Sequence, residues 1–226
     1  MIHFSDAPEK IDIAELLSSP ALKEIKSEHL SGSDARNFWD ELFSSEMTND
    51  VTELSEEDVW QEIFGRDEHE FQFDFEIDDS IRAILDKFDL MEWDSLTDED
   101  RVEVINQFAG ILADKLDLDE KPKVIFFDGA PTSLGAFSPS NNCVEINFAL
   151  LDHPDVLRNV IPHEMRHAYQ HQRADAQETW MDFLYLINFN NYITPVRLGD
   201  NTCLYYTDYH DQLVEAEARA FANLFS

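Results

Sequence analysis

His163-Glu164-Met165-Arg166-His167 fits the pattern His-Glu-x-x-His, and the fold can be predicted outward from this stretch. On a helix, residues four apart lie on the same face one turn from each other, so the two imidazoles can bind one Zn²⁺ ion. Glu164, between them, can reach a water molecule at the metal and take its proton. A chance match in a chain of this length has odds on the order of one in a hundred. The flanking sequence must therefore decide between a metal site and a surface helix that carries two histidines.

Zinc would need another protein ligand downstream, and the alanine-rich, helix-forming segment 214–222 offers one. Glu215, Ala218 and Ala222 share one face of this helix, where small side chains would allow close packing against the metal helix. That packing places Glu215 beside the zinc, whereas Glu217 points about 160° away on a helix of about 3.6 residues per turn. We therefore favour Glu215 over Glu217 as the third ligand. The alternative for this segment is an exposed acidic helix.

Three neighbours of the motif are also informative. His171 lies about two turns beyond His163, roughly 12 Å along a straight helix, so we exclude it as a ligand to the same ion. Pro162 directly precedes the motif, and a proline inside a helix removes a hydrogen bond and clashes one turn back. Either the helix kinks there or a new helix begins, and both alternatives keep the two motif histidines together. Arg166 faces away from the ligands and is predicted to pair with an acid such as Glu145.

The order of the predicted elements indicates an α+β fold. One helix is predicted over residues 80–93 by apolar residues that share a face, which are Ile81, Ile84, Leu85, Phe88 and Met91. Thr97, followed by an acidic first turn, is predicted to cap a second helix that ends near Leu116. Three strands are predicted over residues 123–127, 134–138 and 143–147. The metal helix follows the third strand, so a small sheet is expected to pack on it.

Acidic side chains are enriched towards the N-terminus. Residues 1–95 hold 27 acidic and 7 basic side chains, and residues 46–79 hold 14 acids and a single arginine. Weak helical patterns occur over residues 11–17 and after Ser33. Within the acidic stretch, phenylalanines alternate with polar residues over 71–75, as in a strand or an extended binding segment. We interpret the stretch as a solvated acidic face over a small aromatic core, and the alternative is a pseudosubstrate or partner-binding region.

Charge and hydropathy limit the partners and the location. The chain of 226 residues carries a formal charge of −32, which argues against nucleic acids and anionic membranes as partners and favours basic proteins or peptides. Apolar runs such as 124–127 are too short to span a bilayer, and the N-terminus lacks the features of a signal peptide. We therefore expect a cytoplasmic protein or one exported by a signal-less route. Cys143 and Cys203 are expected to be buried free thiols.

A family resemblance covers residues 95–226. It is most specific in the run His163-Glu164-Met165-Arg166-His167-Ala168-Tyr169-Gln170, and softer matches lie at 134–137, 144–147, 188–192, 215–218 and 221–222. The chain resembles the zincin metallopeptidases, specifically the small bacterial His-Glu-x-x-His group with a downstream Glu ligand (gluzincins), and more distantly the ImmA-type proteases that cleave phage-type repressors. The resemblance implies an α+β, zincin-like domain over 95–226 with His163, His167 and Glu215 as zinc ligands and Glu164 as general base. Residues 1–94 would be an acidic, mainly helical region of unknown role.

The activity that this resemblance implies is zinc-dependent endopeptidase cleavage of a protein or peptide substrate. In such a site zinc polarises the scissile carbonyl, while Glu164 moves a proton from water to the leaving amine. Tyr209 and His210, about one turn ahead of the third ligand, are candidates to stabilise the oxyanion, and Tyr192 is another. A peptide is expected to add as a strand to the edge formed by residues 135–138. The alternatives are a zincin scaffold that binds or regulates without proteolysis, and an acidic nucleic-acid mimic.

Overall fold

A computed structural model describes residues 61–130, 132–197 and 203–226 of the chain. The chain divides after Glu62, and residues 63–226 form one compact unit. The helical patterns at 11–17 and after Ser33 lie outside the described residues, as does the first part of the acidic stretch. Residues 63–94 belong to the compact unit, so part of the predicted N-terminal region folds together with residues 95–226.

The described elements make the fold a mixed α+β one. The helices are α1 (Asp79–Leu85), α2 (Leu90–Trp93), α3 (Asp98–Lys115), α4 (Pro154–Ala176), α5 (Trp180–Asn190), α6 (Tyr206–His210) and α7 (Leu213–Ala222). The strands are β1 (Lys123–Phe127), β2 (Gly135–Ser138), β3 (Cys143–Asn147), β4 (Val196–Arg197) and β5 (Cys203–Leu204). Thr97 and Asp100 form a capping box at the start of α3, which confirms the predicted start of that helix.

The helix predicted over residues 80–93 is in fact α1, a 3₁₀ turn and α2. The break comes at Asp89, whose backbone is extended and whose carboxylate accepts the backbone N–H of Met91 as the cap of α2. The break resets the helical register, so Met91 is 86% exposed while Trp93 is fully buried. The prediction that Met91 shares the buried face is therefore wrong, although Ile81, Ile84 and Phe88 are buried as predicted.

The three predicted strands form one sheet in the order β1-β3-β2. β1 pairs with β3 in parallel, and β2 pairs with β3 antiparallel, which leaves β2 at an edge within the described residues. The N–H of Asn147 donates to the carbonyl of Leu134. Because such bonds alternate along an antiparallel pair, the backbone groups of Gly135 and Phe137 point to the open edge of β2.

The long helix α4 carries the His-Glu-x-x-His motif and packs against α3, α5, α7 and β2. Pro162 is buried inside α4, so the alternative in which a new helix begins at this proline is wrong. The apolar side chains of α4 join the hydrophobic core, which places the motif between the core and the open edge of β2.

The segment with alternating phenylalanines, residues 71–75, belongs to no helix or strand. Its phenylalanines are half-buried and its polar residues are exposed, so the predicted alternation is present. Phe73 and Phe75 pack edge-on against the ring of Phe221 in α7, with centroid distances of 5.4 and 4.9 Å. The predicted aromatic core is therefore continuous with the main core rather than separate from it.

Both cysteines are free thiols. Cys143 in β3 is buried as predicted, but Cys203, in the two-residue strand β5, is only half-buried, so the prediction that Cys203 is buried is wrong. Among the described helices, none is both long and apolar enough to cross a membrane.

Candidate metal centre

The structure brings together the three residues predicted as zinc ligands. α4 places His163 and His167 one turn apart, and α7 brings Glu215 to them. One ligand atom from each of the three residues lies within 4.8 Å of the others. Ala218 and Ala222 of α7 are buried, consistent with the predicted close packing of this helix on α4.

The spacing of the donor atoms fits a tetrahedral zinc ion. His163 Nε2 lies 3.1 Å from His167 Nε2, and the two Glu215 carboxylate oxygens lie 3.4 Å from His163 Nε2 and 3.3 Å from His167 Nε2. Ligands that are each about 2.0 to 2.1 Å from a tetrahedral zinc are about 3.3 Å from one another. Two imidazole nitrogens and one carboxylate oxygen are also ligand types that zinc prefers. The chemistry and the spacing of the cluster therefore both suit this metal.

Charges at the cluster reinforce that fit. Burial opposes a charge on His167, but the carboxylate of Glu215 outweighs it and raises the pKa of His167 to about 9. Burial likewise opposes a charge on Glu215, yet the two histidines hold the pKa of Glu215 well below its usual range. The buried carboxylate thus favours positive charge between the three side chains, as a cation site requires.

Gln170 fixes the orientation of the second histidine. Its Oε1 lies 2.8 Å from His167 Nδ1, and an amide oxygen can only accept, so Nδ1 carries a proton and Nε2 is the nitrogen that faces the other donors. The Gln170 amide nitrogen donates in turn to the Val214 carbonyl and to Glu217. Gln170 was not among the predicted site residues. Its position three residues after His167, on the same helix face, was the available signal.

Glu217 is not one of the three donors but belongs to a buried network that Gln170 links to His167. Its carboxylate accepts hydrogen bonds from Arg166, from the Tyr185 hydroxyl and from Gln170. Arg166 was predicted to pair with an acid such as Glu145. The ion pair is present, but the acid is Glu217, which α7 brings to the buried face of α4. Tyr185 carried no local sequence signal, because only the packing of α5 brings it to this network.

Glu164 lies beside the three donors and is 6% exposed. Burial raises the pKa of its carboxyl group, and the neighbouring Glu215 adds to this, while the two histidines and a hydrogen bond from the Phe137 backbone N–H oppose it. The Phe137 N–H points to the open edge of β2, so Glu164 lies between that edge and the donor cluster. This is the position that a proton-transfer group acting on a substrate at the edge would need.

Two tyrosine hydroxyls converge on Glu215. Tyr192 donates to Glu215 Oε1, and Tyr209 also hydrogen-bonds to this carboxylate. Burial and the charge of Glu215 raise the pKa of both hydroxyls, so both remain protonated donors. His210 lines the same cavity as both tyrosines, with Nδ1 2.6 Å from Asp211 Oδ1 and the side chain 38% exposed. Of the three predicted oxyanion donors, the two tyrosines are the ones that hydrogen-bond to Glu215.

His171 is near the cluster but is not part of it. Its ring stacks on Phe189 with a centroid distance of 3.7 Å and lies 5.6 Å from the ring of Phe137. Burial, and then the positive charge of His167, lower the pKa of His171 to about 4, so its imidazole is neutral at neutral pH.

Two cavities meet at the cluster and together form a cleft. The larger, of about 660 Å³, extends past Gly135 towards Glu68, Thr194 and Arg219. The smaller, of about 410 Å³, follows β2 to Phe137, His171 and Phe189. Six residues line both cavities, namely Gly135, His163, Glu164, Tyr192, Tyr209 and Glu215. The donor cluster therefore lies near the middle of a continuous cleft, with the open edge of β2 along one side.

Comparisons of the chain with models of protein families, with curated proteins and with solved structures find no match. Function must therefore be argued from the side chains of the site and not from relatives.

Proposed function

We propose that this protein is a zinc-dependent endopeptidase that hydrolyses peptide bonds in a protein substrate. The observation that carries the proposal is the buried carboxylate of Glu164 next to a donor cluster whose spacing suits zinc. The described residues supply three ligands, and a zinc ion held by three protein ligands keeps a position open for water or substrate. Structural zinc sites instead use four protein ligands, so the cluster favours catalysis.

The side chains of the cleft can divide the reaction between them. Zinc, when bound, would supply Lewis-acid chemistry by polarising the substrate carbonyl and lowering the pKa of water. Glu164 would receive the proton of the attacking water on its carboxylate and deliver it to the leaving amine. A pKa raised by burial suits both halves of that transfer. Tyr192 and Tyr209 would turn their hydroxyls from Glu215 to the developing oxyanion.

The cleft suits an extended peptide. The Phe137 N–H at the open edge of β2 already donates to Glu164, so the edge offers the backbone groups of Gly135 and the Phe137 carbonyl to a further strand. The two cavities extend the site on either side of the donor cluster. A scaffold without proteolysis would gain nothing from Glu164, because a buried carboxylate costs stability unless it is compensated. The formal charge of −32 favours substrates with basic segments.

Zinc analysis and one charge-neutral substitution test the proposal. The purified protein is expected to hold about one zinc ion per chain, and His163→Ala/His167→Ala is expected to lose it. Glu164→Gln should keep the zinc and lower the hydrolysis rate of an unfolded protein substrate by about 100-fold to 10,000-fold. Glu145→Gln, at a half-buried position in β3, is the matched control and should leave both unchanged. Zinc retention by the double variant, or full activity of Glu164→Gln, would contradict the proposal.

A further inference from the structure

We infer that Phe137, His171 and Phe189 form an apolar subsite that selects an aromatic or large aliphatic side chain on the N-terminal side of the scissile bond. The inference rests on the proposed peptidase function and specifies its substrate class. It depends on three features of the cleft: the direction of β2, the face of the sheet on which Phe137 lies, and the chemistry of the smaller cavity.

The direction of β2 orients the substrate. A Cβ atom on Gly135 would lie 2.9 Å from Val160 Cγ1 and 3.3 Å from Glu164 Cγ, so β2 starts beside the N-terminal half of α4. Two residues later, the ring of Phe137 is 5.6 Å from that of His171, farther along α4. A strand that adds antiparallel to β2, the slightly more stable pairing, runs the opposite way. Its N-terminal residues lie by Phe137, and its C-terminal residues enter the larger cavity past Gly135.

The face of the sheet determines which substrate side chain enters the subsite. Side chains directly opposite each other on paired strands project to the same face. Gly135 and Phe137 share the face of β2 that looks towards α4, because they are two residues apart. The substrate residue opposite Phe137 therefore projects its side chain towards the smaller cavity, against the rings of His171 and Phe189.

The lining of the smaller cavity is apolar at the end where Phe137, His171 and Phe189 lie. His171 and Phe189 are stacked with an interplanar angle of 14°, and both are half-buried. His171 is neutral at neutral pH because its pKa is about 4. The acids that line this cavity, Glu164 and Glu215, lie at the donor cluster and not at the aromatic end. An aromatic or branched aliphatic side chain gains contact with these rings, whereas a charged side chain would lose its hydration there.

A peptide series tests the subsite. Peptides that differ only in the residue on the N-terminal side of one cleavable bond are compared on the wild-type protein loaded with zinc. The kcat/KM with Phe or Leu is expected to exceed that with Gly by at least about 10-fold, because a single methylene in an apolar pocket is worth about 10-fold to 200-fold. Phe189→Ala should reduce this ratio at least tenfold. Phe148→Ala, at a 45% exposed phenylalanine that lines neither cavity, is the matched control.

A second variant covers the case in which Phe189→Ala does not fold. His171→Asp introduces a charge without removing the ring of Phe189, and it should lower the kcat/KM of the Phe peptide at least tenfold while raising that of a Lys peptide. Binding is measured separately by titrating the Phe and Gly peptides into the Glu164→Gln protein, where the Kd ratio should shift in the same way with Phe189→Ala.

The outcomes separate the subsite from the activity. If no peptide or protein is cleaved by the zinc-loaded wild type, the proposed function fails and this inference fails with it. If peptides are cleaved with no preference for apolar residues, or with a preference only on the C-terminal side of the bond, the subsite inference is overturned while the activity stands. A preference that neither Phe189→Ala nor His171→Asp changes would also overturn it.

Discussion

Glu215 and Glu217 are two residues apart on α7, yet their carboxylates serve different parts of the molecule. Two residues turn a helix through about 200°, so neighbouring acids of this spacing face almost opposite ways. Glu215 meets the two motif histidines and two tyrosine hydroxyls, whereas Glu217 already has a full positive charge beside it in Arg166. Only Glu215 thus lacks a permanent cation, and a metal ion would supply one.

Substituting each acid by its amide separates the two roles. Loss of a residue that only supports a ligand weakens metal binding by about 10-fold to 100-fold. Glu215→Gln should weaken zinc binding by more than this, because it removes a ligand. Glu217→Gln should keep the zinc but lower the free energy of unfolding by about 3 to 5 kcal/mol, since it leaves Arg166 buried without its anion. Chelator competition measures the first effect, and denaturant unfolding of the zinc-free proteins measures the second. The reverse pattern would move the third ligand to Glu217.

At the scale of elements, local signals predicted most of the described structure. The cap of Thr97 predicted the start of α3, and alternating apolar residues predicted β1 to β3. The break before α2 was missed although Asp89 is a local capping signal, because apolar spacing continues through it. The residues of the candidate site likewise include some that local sequence predicts and some that it does not. The spacing of His163 and His167 is local, whereas the pairing of Arg166 with Glu217 arises from packing between helices and could not be predicted from sequence spacing.

Asp182 links the C-terminal end of α4 to the start of α5. Arg173 donates two hydrogen bonds to its carboxylate, at 2.9 and 2.7 Å, and the N–H groups of Glu178 and Thr179 also donate to it. Asp182 is 2% exposed, and its carboxylate accepts all of these bonds. An amide cannot replace it, because its NH₂ group would face donors.

Asp182→Asn is therefore expected to lower the free energy of unfolding by about 2 to 3 kcal/mol, as for lost hydrogen bonds to a charged group. In a domain of this size, that corresponds to a melting temperature lower by about 5 to 10 °C. Zinc content should not change, because the ligand contacts are untouched. Asp175→Asn, at an exposed position of α4, is the control and should melt like the wild type. Equal melting of both variants would show that Asp182 does not hold the two helices together.

At the scale of the whole molecule, negative charge extends well beyond the N-terminal region. Residues 1–60 hold 15 acidic and 4 basic side chains, and residues 61–226 hold 33 and 12. Residues 63–94 cannot be treated as a detachable extension, because Ile81 and Trp93 are fully buried in the core. Phe73 and Phe75 pack on Phe221, so these rings are not free to enter the cleft as a pseudosubstrate. The part whose removal tests the role of the acidic region is therefore residues 1–60.

A protein that lacks residues 1–60 is expected to cleave a basic peptide more slowly than the full chain at low salt. Its formal charge falls from −32 to −21, which weakens the long-range attraction that raises the association rate. At an ionic strength of about 0.01 M, where charges act over about 30 Å, we expect kcat/KM to fall by about 2-fold to 10-fold. At about 1 M, where charges act over about 3 Å, we expect no difference in kcat/KM. A neutral peptide with the same cleavage site is the control and should show no difference at either salt concentration. Faster cleavage by the shortened protein at every salt concentration would show instead that residues 1–60 obstruct the cleft. Equal rates at both salt concentrations would show that residues 1–60 serve only folding or solubility.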